Sequence, residues 1–288
     1  YDGKVWCLRD TNGDGLEDQA EPFWDQPTLS VPVGMAWTTH GLYVSSKGKV
    51  SRLRDTNGDG RADQEQVIAS GWPATDVGSR GVDATAVTLD AEGNVYFGLL
   101  VADYSNAYRL RQRASLQPEE IAWLKWKGRW YESRGTDPTQ DTFSLYDLES
   151  PRGTIQKFDP RTGRRTTFAT GLRVPVALAF NREGDLFNTD QEGETWLPNG
   201  NPLDELNHIV DGRNYGFPPR HELWLPDLLS EPPVVSFGPQ HQSTCGLVFN
   251  EPRTALDPPA SGGVPLPAGP AQGLFGPSWW SGDAFVAG

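Results

Sequence analysis

One two-strand unit recurs along the chain and limits the fold more than any other feature. A small-apolar stretch, a turn often carrying glycine and an aromatic-rich stretch follow one another in "GMAWTTHGLYVSS" (34–46), "AVTLDAEGNVYFG" (86–98) and "ALAFNREGDLFNT" (177–189). A fourth start, "GLVFN" (246–250), reaches its second strand, "GDAFVAG", only after a Pro/Gly-rich insertion. Two of the units run on into further strands, "KVSRLRD" then "EQVIASG", and "GTIQKFDPRTGRRTTFATG". Four strands per unit, repeated, is the pattern of propeller blades. Their inner strands are apolar because neighbouring blades pack face to face. The sequence therefore predicts an all-β fold, a β-propeller of four-stranded blades. Four to six blades are expected, the chain forming either a whole ring or part of a six-bladed one. One way to close the ring pairs the N-terminal strands with "GDAFVAG". The unit starts at Met35, Val87, Leu178 and Leu247 are unevenly spaced, so insertions are large. The main one, around 103–150, decorates one face and is a place for pocket-lining residues. One helix is expected over 117–127, with Pro118 in its first turn and Glu119 and Glu120 at its positive end.

The run "RDTNGDG" occurs at 9–15 and again at 54–60, about one blade apart. In the first loop Asp10, Asn12 and Asp14 take ligand positions 1, 3 and 5 of a calcium loop. The Leu16 carbonyl takes position 7, Asp18 position 9 and Glu21 position 12. The second loop repeats this with Asp55, Asn57, Asp59, the Arg61 carbonyl and Asp63, but ends in Gln66. A neutral amide gives no bidentate carboxylate, so the second site should be the weaker. Crowded hard oxygens suit Ca²⁺, and without a cation the carboxylates repel. Strands rather than helices flank both loops, so an EF-hand helix pair is excluded. The expected role is to clip outer hairpins, and a plain Asp/Asn/Gly turn is the alternative.

Acidic residues outnumber basic ones 38 to 25, a net charge of −13. Binding phosphates needs clustered Lys and Arg, so nucleic acid and anionic membrane are poor partners. A cation or a neutral ligand such as a sugar fits better. No apolar run approaches the length of a membrane span. The chain opens on "YDGKVW" and stops on "GDAFVAG", both strand-like. A single propeller domain over 1–288 is expected, as a piece of a longer protein whose other domains are partners. Cys7 and Cys245 form no CxxC and are expected as two buried thiols.

Chemistry is densest in 185–218, "DLFNTDQEGETWLPNGNPLDELNHIVDGRNYGFP", which holds Asp190, Glu192, Glu194, Asp204, Glu205, Asn207 and His208. The pieces "EGE…DELNHI…GRNYGFP" resemble the soluble pyrroloquinoline-quinone (PQQ) sugar dehydrogenases, the glucose and sorbosone dehydrogenase-like six-bladed propellers. "ATGLRVPVALAF" (169–180), "STCGLVF" (243–249) and "WWSGDAFVAG" (279–288) are similar to their strands. The duplicated acidic hairpin resembles propellers of large multidomain bacterial proteins grouped with them. The resemblance implies an extracellular or periplasmic sugar oxidoreductase in which Ca²⁺ polarises the quinone carbonyl that takes up hydride. It places that calcium on the carbonyls of Gly193 and Glu194, the quinone contact on Arg173, and Asp204 and Glu205 in a structural calcium region. It also implies a histidine base where this chain has Val82, with Asp83 beside it as the stand-in. Val174 and Glu194 replace the family's Asn and Pro.

His241, just before an inner strand, is a further pocket candidate. His40 reads as a turn residue, and His208 as a hydrogen-bonding neighbour of the acidic cluster. Trp123, Trp126 and Trp130 either stack on sugar rings or bury the insertion's own core. No GxSxG, Cys/His pairing or phosphate loop occurs, which leaves hydrolase and nucleotide chemistry without support. Three functions stay open: a PQQ-dependent sugar dehydrogenase, a non-catalytic calcium-stabilised propeller binding glycan or a partner, and a propeller-type sugar lyase or dehydratase.

Overall fold

The computed structural model describes residues 3–72, 83–101, 151–192, 203–217, 229–239, 242–251 and 276–288, together with 118–119 and the backbone of 108–112, 130–131 and 142–146. The strands are β1 (Val5–Arg9), β2 (Gln19–Trp24), β3 (Met35–Thr38), β4 (Gly41–Ser46), β5 (Lys49–Arg54), β6 (Gln64–Ser70), β7 (Ala84–Leu89), β8 (Val95–Leu99), β9 (Tyr108–Gln112), β10 (Trp130–Tyr131), β11 (Thr142–Tyr146), β12 (Thr154–Asp159), β13 (Arg164–Ala169), β14 (Pro175–Phe180), β15 (Leu186–Asp190), β16 (Asp204–Ile209), β17 (Val235–Phe237), β18 (Gly246–Phe249) and β19 (Ala284–Ala287).

Among the described residues they form three complete four-stranded antiparallel blades: β3-β4-β5-β6, β7-β8-β12-β13 and β14-β15-β16-β17. The pair β1-β2 precedes them and the pair β18-β19 follows. The recurrent two-strand units of the sequence are the inner pairs β3-β4, β7-β8, β14-β15 and β18-β19. "DELNHI" forms the third strand of its blade, β16. Among the described strands β19 pairs only with β18 and β1 only with β2, so the closing pair between the chain ends does not form. The insertion leaves β8 and rejoins at β12, and its strands make a separate sheet ordered β10-β11-β9. Of the expected helix only residues 118–119 are described; Trp123 and Trp126 lie outside the described residues.

Apolar side chains fill the seams between blades. Tyr43, Val50 and Trp72 of the first blade meet Ala84, Val87, Val95, Phe97 and Leu99 of the second. Ala86, Tyr96, Ile155 and Leu172 meet Leu178, Leu186 and Ile209 across the next seam. Phe23 and Trp24 of β2 pack on Leu42, Val44 and Leu53. Each fully buried large side chain contributes about 1.5–3 kcal/mol. Successive strand residues face opposite sides, so the near-continuous buried runs of β4 and β8 supply an apolar set to both faces of a blade. Gly98 marks a close approach of the second blade to the third: a Cβ there would lie 2.8 Å from both Cγ and O of Pro175. Neither cysteine is buried and both are free thiols: Cys7 is half-buried at the edge of the seam beside Leu42 and Leu53, and Cys245 is exposed.

Antiparallel pairing gives the blades two faces. Inner strands start, and second strands end, at an upper face carrying Asp83, Arg173, Asp190 and Thr244. The turns from third to fourth strand lie at the lower face, and these include the acidic loop 55–63. The insertion is attached at the upper face, at Val101 and Pro151.

Candidate functional site

Three carboxylates order the upper face, Asp83 and Asp204 between blades and Asp190 within the third. Asp83, fully buried, accepts N–H bonds at Oδ1 from Gly48 of the first blade (2.8 Å) and from Ala84 (2.7 Å). Asp190, also fully buried, accepts from the main-chain N–H of Arg173 (2.9 Å) and of Val174 (2.7 Å). Asp204 accepts from the N–H of Glu192 (3.0 Å), Gln242 (3.1 Å) and Thr244 (3.3 Å), joining the third blade to β18. Hydroxyls extend the stitching. Ser45 donates to the Thr85 carbonyl and Thr85 to the Pro175 carbonyl, so the first three inner pairs are linked in series.

The candidate catalytic pair is bridged by consecutive residues. Leu100 N–H donates to the Asp83 carbonyl (3.0 Å) and Val101 N–H to the Arg173 carbonyl (2.7 Å). Arg173 is 5% exposed, and its Nη1 donates to the Gln191 carbonyl at 2.9 Å. Asp83 is less accessible than a base should be, with 0% exposure and no hydrogen-bond partner for Oδ2 among the described residues. Val82, Gly193, Glu194 and His241 lie outside the described residues, flanking Asp83, Glu192 and Gln242 in the chain.

Strands β15 and β16 carry three facing rungs: Leu186 opposite Ile209, Asn188 opposite Asn207, and Asp190 opposite Glu205. Burial pushes the Asp190 carboxyl up to about 6, against the pull of the Arg173 and Val174 N–H groups and the Arg173 charge. Burial, then the Asp190 and Asp204 charges, raise Glu205 to about 7. Glu192 is raised further, by burial and by Asp190 and Glu205. The carboxylates outweigh Arg173, so this end of the seam favours protons or a cation.

Asp204 and Glu205 are successive strand residues and point to opposite faces, so they do not share one ion. Asp204 is occupied by backbone donors, whereas Glu205 accepts from Asn207 Nδ2 at 3.3 Å. His208 lies away from the acidic cluster: it stacks on Phe187 and sits 3.6 Å from Asp185 at the lower face. The residues that sequence reasoning left out, Asn188, Gln191 and Thr244, become neighbours only through cross-strand register and blade packing. The alternation in "LFNTD" and "DELNHI" was the available signal.

The first acidic loop lies on the β1–β2 turn and the second on the third-to-fourth-strand turn β5–β6, both away from this site, and they share one geometry. Asp10 accepts from Gly13 N (2.7 Å) and Gly15 N (2.8 Å), and Asp55 from Gly58 N (2.7 Å) and Gly60 N (2.8 Å). The Asn12 and Asn57 oxygens accept from Asp14 N and Asp59 N, and Asp14 and Asp59 accept from Leu16 N and Arg61 N. Asp18 and Asp63 take the Thr11 and Thr56 hydroxyls on both oxygens. The Gly15 and Gly13 donors hold Asp10 below the usual carboxylate range, and Thr11 does the same for Asp18. Glu21 lies in β2 opposite Cys7, about 10 Å along the strand from Asp18, and accepts from Gln19. Among the described residues no three His, Cys, Asp or Glu side chains converge as a metal cluster. No described helix is long and apolar enough to cross a membrane.

A family model described as "Domain of unknown function (DUF7133)" matches residues 1–115. No curated protein sequence matches the chain. Among solved structures, a putative oxidoreductase (glucose dehydrogenase) from Thermus thermophilus aligns over 86% of this chain and 68% of its own, at 20% identity and a TM-score of 0.55. The two share a propeller fold. Two further structures align less closely. A family AA12 carbohydrate-active enzyme of Trichoderma reesei gives 16% identity over 75% of this chain and 50% of its own, with a TM-score of 0.48. The PQQ domain of pyranose dehydrogenase from Coprinopsis cinerea gives 10% identity over 72% and 47%, with a TM-score of 0.46. This chain spans about half the length of each of those two.

Proposed function

We propose that this propeller belongs to a quinoprotein-type sugar oxidoreductase, with the upper face around Arg173 as its working site and a sugar hydroxyl as the group oxidised. The observation that carries the reading is the buried Arg173 guanidinium set beside Asp190 and Glu192, at the position where the sequence resemblance puts the quinone contact. Calcium suits the carboxylates that are there, and with their charge neutralised by calcium or protons Arg173 would meet an anionic quinone. The Gly193–Glu194 step follows Glu192, whose N–H is anchored on Asp204. When bound, the quinone accepts hydride and calcium polarises its carbonyl. The chain's own part is positioning. Asp190 fixes the 173–174 backbone, Asp204 fixes both segments that flank the site, and the insertion is rooted on the same face. Asp83 can take a proton at Oδ2 only if its contact with Gly48 opens to admit the substrate. A secreted or periplasmic location goes with this reading, since calcium sites of weak affinity fill outside the cytoplasm.

A second reading, a calcium-stabilised propeller that binds glycan without turnover, is favoured by one observation: Asp83 is sealed from solvent. Titrating the protein with PQQ and Ca²⁺, and following dye reduction with a sugar panel, separates the two. Saturable quinone binding with sugar-dependent reduction supports the oxidoreductase. Absence of quinone binding removes it, and sugar binding without reduction leaves the second reading.

A further inference from the structure

We propose that the seam between the second and third blades holds a hard divalent cation, calcium by its donor chemistry, on the side-chain oxygens of Asn188, Asn207 and Glu205 with Asp190 as the second carboxylate. This site lies apart from the two lower-face loops and from the Gly193–Glu194 step, and it does not require the redox reading.

The facing rungs of β15 and β16 define the site. Leu186 and Ile209, at one end of the ladder, pack against Ala86, Ile155 and Leu172 of the second blade. Strand alternation turns the amide rung, Asn188 and Asn207, and the carboxylate rung, Asp190 and Glu205, to that same side. Both asparagines are 0% exposed. Asn188 Nδ2 donates to the carbonyls of Ala177 (3.1 Å) and Thr189 (2.8 Å), which fixes which end of its amide is oxygen. Asn207 Nδ2 donates to Glu205 Oε2, which fixes the other and lays that amide against the carboxylate. Both Oδ1 atoms are buried and have no donor among the described residues.

A buried amide oxygen left without a donor is costly, and here two occur on one rung beside a rung of carboxylates. Every group in the set accepts; an occupant must therefore be electropositive. Oxygen-only donors, with neither sulfur nor imidazole, select calcium over zinc or copper. Two carboxylates balance a charge of +2, and backbone oxygens or water complete the shell.

The test uses calcium alone on the full 288-residue chain, with the lower-face loops silenced by Asp10→Ala and Asp55→Ala, and reads binding by calorimetry. Besides any calcium held at the Gly193–Glu194 step, the silenced chain should retain one calcium site that depends on Asn207. Asn207→Leu, close in shape but without the oxygen, should weaken that site at least about tenfold, and Asn207→Asp, which adds charge to the ligand set, should tighten it. No calcium binding by the silenced chain overturns the proposal and leaves water as the occupant. So does unchanged affinity in Asn207→Leu. If that variant fails to fold, unchanged affinity in Asn207→Asp has the same force. Quinone binding and dye reduction are not read, so failure here leaves the oxidoreductase reading standing, and the reverse also holds.

Discussion

Asp190 accepts the main-chain N–H of Arg173 at 2.9 Å, so a carboxylate at the end of one strand fixes the backbone of the cation that starts the neighbouring strand. The Arg173 charge in turn lowers the cost of keeping Asp190 and Glu192 ionised. Replacing the cation should therefore matter most where the carboxyls are ionised. Arg173→Met is expected to destabilise the protein by about 3 kcal/mol at pH 8, as expected for breaking a buried charge pair, and by clearly less at pH 5. Urea unfolding at the two pH values checks this; equal losses would place the effect in packing alone.

The wild-type protein should lose stability as pH rises through the same range. Asp190 is raised from 3.8 to about 6 and Glu205 from 4.5 to about 7. A carboxyl whose folded value exceeds its unfolded value leaves stability intact below about pH 4, and the loss accumulates as pH climbs to about 7. Calcium in the seam would reduce that loss. Melting curves from pH 4 to 8, with chelator and with calcium, should diverge toward the alkaline side.

Asp83 separates structure from catalysis. Asp83→Ala strands the buried N–H of Ala84, at about 1–3 kcal/mol, and the half-buried N–H of Gly48, at less. Asp83→Asn keeps an acceptor for them and should remain close to wild type in melting temperature. If Asp83 is the base, Asp83→Asn abolishes sugar-dependent dye reduction while quinone binding persists. Retained turnover would remove Asp83 from the chemistry.

Gly98 should resist substitution. A Cβ at this position would meet both the ring and the carbonyl of Pro175, so Gly98→Ala forces the third blade outward at a cost of about 1–3 kcal/mol. Denaturant titration reads the loss, and a neutral result would show that the seam yields.

The two acidic loops are hydrogen-bonded alike and Glu21 lies out of the first loop on β2, so they should respond alike to calcium. Added calcium should raise the melting temperature and chelation should lower it, with Asp10→Ala and Asp55→Ala removing similar shares of the shift. No shift on chelation in wild type would mean that the loops close on their own N–H donors and Thr–Asp pairs.

Much of the fold was legible in the chain itself. The inner hairpins at 34–46, 86–98 and 177–189 stood out because each blade needs apolar residues on both faces of its inner strands, and Gly/Asp/Asn turns punctuate them. The acidic loops were legible because their ligand-like spacing is local. The site was less so. Asp204 and Glu205 read together as one calcium region, but a strand sends them to opposite faces. His208 looked like part of the acidic cluster, yet alternation carries it to Phe187 and Asp185.

The sequence by itself determined the repeat, the blade strands and the acidic turns, because period-2 patterning and turn chemistry act over a few residues. Tertiary structure decided what those strands bring together. Asp83 came against Gly48, Asp204 against Gln242 and Thr244, and Asn188 against Asn207, because blade packing and cross-strand register join residues whose separation along the chain carries no local signal.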